Sequence, residues 1–242
     1  MKAHIAQWIG RRKKQEDAYV VRCYPNGLLA VVCDGMGGHA CGASSARRAA
    51  DEFVAAFEER SEGSVSERLC WALEDANEAV GDVCERAGVF GGTTLLAAFV
   101  GAGVLWWVSV GDSPLFVWRN KRLVRLNADH SMRAVYQEFV QAGTMAHAEA
   151  MSRGHELRSA LTGERIPMVD APPTPYLLLP HDRIILATDG TDDLLQPTSL
   201  PLSTRQLLGD HSAPLASLIV EACRNLGLEA ADNTTVVTID VE

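Results

Sequence analysis

Apolar and polar residues alternate along this chain with two different periods. Short apolar runs rich in β-branched residues, bounded by Gly, Pro, Asn and Asp, predict strands. The predicted strands are His4–Ile9, Ala18–Cys23, Leu28–Cys33, Thr93–Val100, Val104–Val110, Leu115–Arg119, Tyr176–Leu179, Arg183–Ala187 and Thr234–Val241. Short links between them, such as Gly101-Ala102-Gly103, indicate antiparallel hairpins.

Other segments have apolar residues three and four positions apart, which predicts helices. The first helix is expected to begin near Ser44 or Ser45, since either residue is a suitable N-cap. Two more are predicted at about 66–86 and 213–226. Helices combined with antiparallel strands favour a layered α+β domain. The polar segment 131–175 is expected to be an insertion over the core.

Composition narrows the possible functions. The chain has 242 residues, of which 47% are hydrophobic, enough for a sizeable core in one large domain or two small ones. A net charge of −9 argues against a nucleic-acid surface. The six cysteines form no C-x-x-C pair, which is typical of reduced thiols in a cytoplasmic protein. We expect no signal peptide, because no apolar segment follows the basic run at 11–14. We expect no membrane span, because glycines interrupt the apolar run Leu95–Val110.

Four short acidic motifs lie at or beside the ends of predicted strands. They are Gln15-Glu16-Asp17, Asp34-Gly35-Met36-Gly37-Gly38-His39, Asp189-Gly190 and Asp232-Asn233-Thr234-Thr235. Carboxylates brought together repel one another unless metal ions neutralise them. Carboxylate oxygens suit hard divalent ions such as Mg²⁺ or Mn²⁺. The sequence therefore predicts a metal-dependent hydrolase.

Two of these features have competing interpretations. Gly35-x-Gly37-x-x-Ala40 imitates a dinucleotide fingerprint, although Asp34 would then repel the pyrophosphate. Arg12, five residues before Asp17, could bind a phosphate through its guanidinium fork. Taken alone, Arg12 could equally be one member of the solvated basic run at 11–14.

Seven motifs in fixed order resemble a known family. They read Arg12–Asp17, Asp34–His39, Gly92–Thr94, Gly111–Ser113, Asp129–Ser131, Thr188–Asp193 and Asp232–Thr235. In this order they are similar to the metal-dependent serine/threonine phosphatases of the PPM (PP2C-like) family, in its bacterial form. The resemblance covers nearly the full chain. It implies one domain, residues 1–242, folded as a four-layer α-β-β-α sandwich with two central antiparallel sheets. It also implies a mobile flap at about 131–165.

The resemblance further implies a centre of two Mn²⁺ or Mg²⁺ ions. By motif position, Asp34 and the Gly35 carbonyl would contact both metals or their bridge, Asp17 would bind one metal, and Glu16 would act through metal-bound water. Asp189 and Asp232 would bind the other metal. A third, weaker metal would be held with Asp189 by two further residues, Asp112 and Asp193. The implied catalytic residues are Arg12, Asp17, Asp34, Asp189 and Asp232.

Some positions depart from the family pattern. Pro114 replaces a usual Arg, and Thr191-Asp192 adds a carboxylate near the expected third metal. Met36 lies where some eukaryotic members have a histidine proposed as general acid, so leaving-group protonation would fall to water or another group. We expect a structural role for His39.

The resemblance implies hydrolysis of phosphoserine and phosphothreonine by a metal-bridged water, without a covalent phosphoenzyme. Two alternatives stay open: a catalytically weak regulatory or binding module with the same fold, and a hydrolase of small phosphoesters. Expected partners are a phosphorylated protein, a bacterial Ser/Thr kinase and, by analogy with phosphatases of type VI secretion, a forkhead-associated-domain protein. We expect a cytoplasmic monomer that binds neither nucleic acid nor membranes.

Overall fold

The computed structural model describes residues 1–37 and 41–242. Each predicted strand is present, and three further short strands lie among them. In chain order the strands are β1 Lys2–Trp8, β2 Ala18–Tyr24, β3 Gly27–Cys33, β4 Gly35–Met36, β5 Gly92–Thr93, β6 Leu95–Gly101, β7 Val104–Val110, β8 Leu115–Arg119, β9 Arg122–Arg125, β10 Tyr176–Leu177, β11 Arg183–Ala187 and β12 Thr234–Asp240.

The strands form two antiparallel sheets. One has the order β1-β12-β11-β8-β9, and the other has the order β10-β7-β6-β3-β2. A small separate ladder pairs β4 with β5, so that Gly35 lies opposite Thr93. The antiparallel pairing of β3 with both neighbours is incompatible with the parallel βαβ unit that a dinucleotide fingerprint requires.

Helices flank both sheets. They are α1 Gly42–Glu59, α2 Val65–Ala87, α3 Arg133–Gln141, α4 His147–Arg153, α5 Leu202–Leu208 and α6 Leu215–Asn225. The prediction that α1 starts near Ser44 or Ser45 is wrong: the helix begins at Gly42, after Cys41. Ser45 is buried instead of capping, and its hydroxyl contacts the Cys41 thiol. Serine is preferred at N-cap positions, but tertiary packing buries Ser45 inside the helix. Its buried hydroxyl needs a polar partner, which the Cys41 thiol provides.

The cores lie between four layers. Apolar residues of α1 and α2, including Phe53 and Leu69, pack against the sheet that contains β3. A second core fills the space between the two sheets. Leu96 of one sheet and Ile184 of the other both belong to it. A third lies between the sheet that contains β11 and helices α5 and α6. This arrangement confirms the predicted α+β sandwich.

The segment after β9 leaves the sheets and returns to them. It contains α3 and α4, and a bridge between Ser131 and Leu157 closes its base. A second bridge joins Leu161 to Thr93, next to β6. The segment therefore starts and ends beside the same sheet edge that carries Asp34. We keep the name flap for residues 131–165.

Among the described residues, no helix combines the length and the apolar character needed to cross a membrane.

Candidate active site

Antiparallel register gathers the acidic motifs at one edge of the sandwich. Ala18 at the start of β2 pairs with Cys33 at the end of β3, so Asp17 and Asp34 are neighbours. Ala187 at the end of β11 pairs with Val236 of β12, which sets Asp189 beside the 232–235 motif. Because β7 also ends at this edge, Asp112 joins them. Strand ends therefore account for the convergence.

A cavity of about 330 Å³ lies at this edge. It is lined by Arg12, Glu16, Asp34, Gly35, Met36, Gly37, Thr94, Asp112, His155, Leu157, Asp189, Asp232 and Asn233. Most of the candidate residues named from sequence thus share one cavity wall, and His155 and Leu157 of the flap contribute to it. Asp17 lies beneath this wall and is only 6% exposed.

Asp17 is held by two threonine hydroxyls. Thr235 Oγ1 donates to Asp17 Oδ2 at 2.6 Å, and Thr188 Oγ1 donates to the same oxygen at 3.0 Å. The other oxygen, Oδ1, is buried without a hydrogen-bond partner. Burial raises the pKa of Asp17 from 3.8 to about 7, against the lowering effect of the two hydroxyls. An unpartnered buried carboxylate oxygen is a free ligand atom.

Asp34 and Asp189 form the centre of the acidic cluster. Burial, followed by the charges of Asp189 and Asp17, raises the pKa of Asp34 well above its usual value. Burial and the charge of Asp232 raise the pKa of Asp189 to about 6, and a hydrogen bond with Asp34 opposes this rise. Asp189 Oδ1 is also buried and unpartnered. Ionising all of these buried carboxylates together costs free energy unless a cation neutralises them.

The main chain around Asp34 is rigidly placed. Asp34 N–H donates to Thr94 Oγ1 at 2.9 Å, and its carbonyl accepts from Thr93 Oγ1 at 2.8 Å and from Thr94 N–H at 2.8 Å. At the next residue, Gly35, a Cβ would lie 2.3 Å from the Gly42 carbonyl oxygen. Only glycine fits this position, because the start of α1 packs directly on it.

Asp232 makes an ion pair with Arg12 at the cavity rim. Arg12 Nη2 lies 2.5 Å from Asp232 Oδ2, and Asp232 Oδ1 accepts from the Asn233 N–H at 2.7 Å. The buried Asn233 fastens the loop that carries the candidate residues 12–17. Its Oδ1 accepts from Glu16 N–H at 2.7 Å, and its Nδ2 donates to the Ile9 carbonyl at 2.8 Å.

A second group of charges extends from the cavity towards the flap. Burial and the charges of Asp189 and Asp192 raise the pKa of Asp112 to about 8, while Arg133 of the flap lowers it. Arg133 Nη2 donates to Asp192 Oδ2 at 2.6 Å. Asp193, the residue expected from the motif to join Asp112, is exposed and lines a neighbouring cavity with Trp8 and Cys223.

The donor set of this edge fits hard divalent cations. Its side chains offer carboxylate oxygens, including the two buried oxygens of Asp17 and Asp189 that have no hydrogen-bond partner. Within residues 1–37 and 41–242, no three acidic, histidine or cysteine side chains are grouped so that they could hold a metal ion. Carboxylates alone would therefore not complete ligation, and main-chain and solvent oxygens would have to contribute, as is usual for Mg²⁺.

The sequence alone predicts no role for several residues that orient the candidate site. The amide of Asn233 and the hydroxyls of Thr188 and Thr235 orient their neighbours, and their position inside the D-N-x-T and T-D-G motifs was the available signal. No sequence signal marked His155, because only the return of the flap brings it to the cavity. The role expected for His39 lies outside the described residues.

The chain matches the sequence profile of the family described as Protein phosphatase 2C over residues 7–230. It is 25% identical to the serine/threonine phosphatase stp of Listeria monocytogenes serovar 1/2a over 240 residues, which covers 95% of this chain and 91% of the relative. It is 28% identical over 230 residues to the serine/threonine protein phosphatase PstP of Mycobacterium tuberculosis, covering 90% of this chain and 41% of PstP.

Solved structures of similar fold point the same way. The PPM Ser-Thr phosphatase MsPP of Mycobacterium smegmatis, in complex with cacodylate, superposes with a TM-score of 0.76 at 26% identity, covering 100% of this chain and 99% of MsPP. The PstP catalytic domain in complex with two manganese ions gives a TM-score of 0.74 at 25% identity, covering 100% and 98%. These matches confirm the predicted enzyme class, a phosphoprotein phosphatase. The profile match over most of its length, the shared fold and the acidic cavity together establish that the chain belongs to the protein phosphatase 2C family.

Proposed function

We propose that this protein hydrolyses phosphoserine and phosphothreonine in other proteins with the help of two Mn²⁺ or Mg²⁺ ions. The observation that carries the proposal is the buried cluster of Asp17, Asp34 and Asp189, whose pKa values are all raised by burial and mutual repulsion. Such a cluster is costly unless cations neutralise it. The named relatives, which are serine/threonine phosphatases, support the substrate class.

The proposed metal ligands are Asp17, Asp34, the Gly35 carbonyl, Asp189 and Asp232, with Glu16 acting through solvent. When bound, such ions lower the pKa of a water molecule and offset the charge of the phosphoryl oxygens. The protein's own part is to hold the ligands in place: Thr188 and Thr235 orient Asp17, and Asn233 fixes the main chain at Glu16. Asp112 and Asp193 remain candidates for a weaker third ion, and Asp192, whose charge raises the pKa of Asp112, is a further candidate.

Arg12 is proposed to bind the substrate phosphoryl group. Its guanidinium is more than half exposed at the rim of the cavity, where a phosphate could reach it. In this structure it pairs with Asp232, so phosphate binding would require Arg12 to exchange one oxyanion partner for another. The planar guanidinium suits this exchange because it can contact two phosphoryl oxygens at once.

No covalent phosphoenzyme is part of the proposal. The described wall of the cavity contains no cysteine, and its carboxylates are assigned to the metals. Hydrolysis would then be a direct in-line attack of water on phosphorus. We further propose that the enzyme acts in the cytoplasm against a bacterial Ser/Thr kinase, with a forkhead-associated-domain protein of type VI secretion as a candidate substrate. The resemblance of the seven motifs supports this pathway.

The test is phosphate release from a phosphothreonine peptide with Mn²⁺, with Mg²⁺ and with EDTA. Asp34→Asn and Asp189→Asn should reduce turnover at least a thousandfold, since both charges belong to the proposed metal cluster. Asp51→Asn, an exposed aspartate on α1, serves as the matched control. Near-normal turnover in either cluster variant would contradict the assignment. Manganese binding without turnover in the folded wild type would favour a regulatory or binding module. Turnover of small phosphoesters without turnover of the peptide would favour a small-phosphoester hydrolase.

A further inference from the structure

Two cysteine thiols face each other behind the strand that follows Asp34. Cys41 Sγ, at the start of α1, lies 3.1 Å from Cys84 Sγ, near the end of α2. The hydroxyl of Ser45 lies 3.3 Å from the first sulfur and 3.8 Å from the second. Both cysteines are free thiols in this structure. A disulfide bond is about 2.05 Å long, so its formation would require the sulfurs to approach by only about 1 Å.

The two thiols differ in access. Cys41 is fully buried, whereas Cys84 is partly exposed and lines a surface cavity together with Gly81, Phe90 and Gly163. A small oxidant would therefore reach Cys84 first, and Cys41 is positioned to react second. Burial raises the pKa of the Cys84 thiol, so the thiolate is a minor species at neutral pH and oxidation should be faster at higher pH.

The thiol pair is packed against the candidate active site. A Cβ on Gly91 would lie 2.9 Å from Cys41 Cβ and 3.2 Å from the Met36 carbonyl oxygen, so the pair and β4 enclose this glycine. On the other side of Cys41, Gly42 packs closely on Gly35: a Cβ on Gly35 would lie 2.3 Å from the Gly42 carbonyl oxygen, and a Cβ on Gly42 would lie 3.1 Å from the Gly35 carbonyl oxygen. A movement of Cys41 by several tenths of an ångström would therefore displace the main chain of Gly35.

We propose that Cys41 and Cys84 form a reversible disulfide that lowers the hydrolytic activity. The oxidant is a hydroperoxide. Cys84 Sγ attacks the peroxide oxygen, giving a sulfenic acid and, with hydrogen peroxide, one water. Cys41 Sγ then attacks the sulfenic sulfur and releases a second water, so two thiols lose two electrons and two protons to one peroxide. Cytosolic disulfides, where they occur, are often redox sensors of this kind.

The first readout is covalent and does not depend on activity. The metal-free protein is treated with hydrogen peroxide at pH 7 and pH 8, quenched with catalase, denatured and alkylated. The number of alkylated thiols should fall from six to four, and tryptic peptides 23–47 and 69–86 should become linked. Dithiothreitol should restore six. Cys84→Ser and Cys41→Ser should abolish the link, whereas the matched variant Cys70→Ser on the same helix should retain it.

The second readout rests on the proposed function. After catalase treatment and addition of Mn²⁺, the oxidised wild type should hydrolyse the phosphopeptide roughly ten- to a hundredfold more slowly, which is the effect of displacing an active-site element by up to 1 Å. Cys84→Ser should keep its full activity after peroxide. Six alkylated thiols after oxidation would overturn the disulfide, and a disulfide with unchanged activity would overturn its coupling to the site. If even the reduced protein is inactive, the proposed function fails, while the thiol readout stands.

Discussion

Replacing Asp17 by asparagine should stabilise the metal-free protein at neutral and alkaline pH. The folded-state pKa of Asp17 is raised from 3.8 to about 7, so the folded protein holds a proton that the unfolded chain has released. The stability that the protonated Asp17 carboxyl contributes to the folded protein is therefore fully present below about pH 3.8. It is lost as the pH rises to about 7. A shift of about 3 units at about 1.36 kcal/mol per unit corresponds to roughly 4 kcal/mol.

Asparagine removes the charge and keeps an oxygen that can accept from Thr188 and Thr235. We expect Asp17→Asn to raise the free energy of unfolding by about 2–4 kcal/mol at pH 8 and by about 1 kcal/mol at pH 4.5. In a protein of this size the gain at pH 8 corresponds to a rise of roughly 5–15 °C in melting temperature.

The assay is urea and thermal unfolding in EDTA at pH 4.5 and pH 8, with Asp51→Asn as the exposed control. Added Mn²⁺ should stabilise the wild type and reverse the order of the two proteins, because the variant lacks a proposed ligand. If the metal-free variant is no more stable than the wild type at pH 8, then the buried carboxylates do not destabilise the empty fold. The buried cluster would then need no metal ions to neutralise it.

Two further predictions concern the flap. Arg133→Ala should raise the pKa of Asp112 further above about 8, because the Arg133 guanidinium lowers this pKa in the wild type. A ¹³C-detected carboxyl titration of the metal-free protein would measure the change. An unchanged pKa would mean that the ion pair with Asp192 screens the charge of Arg133. His155→Gln should slow hydrolysis of a phosphothreonine peptide roughly a hundredfold if the imidazole protonates the departing alkoxide. It should leave p-nitrophenyl phosphate turnover nearly unchanged, because that leaving group needs no proton, and equal losses on both substrates would contradict this role.

Much of the secondary structure could be predicted because it depends on the local pattern of apolar and polar residues. Leu28–Cys33 is a continuous apolar run that Asp34 follows directly, and Arg183–Ala187 is apolar after its first residue, with Asp189 two positions beyond its end. The structure has both strands within one residue of the predicted bounds. Helix α2 was predictable because its apolar residues recur three and four positions apart. Its capping box joins Ser64 and Glu67, which are only three residues apart in the sequence. The start of α1 was mispredicted because tertiary packing buried Ser45.

The candidate site was predictable only in part. The order of the motifs identified Asp17, Asp34, Asp189 and Asp232, since each lies beside a strand end. The partners of those residues are distant in sequence: Thr235 contacts Asp17 across 218 positions, and Asn233 contacts Glu16 across 217. No local pattern encodes such contacts.

The sequence by itself determined the fold class, the family and the acidic residues of the candidate site, because periodicity and motif order are properties of short segments. Only the tertiary structure decided which of Asp192 and Asp193 acts on Asp112, that His155 of the flap reaches the cavity, and that Cys41 and Cys84 are neighbours. Those relations depend on how layers pack and where loops return. Side-chain direction at a strand or helix end follows from packing, and sequence spacing does not specify it.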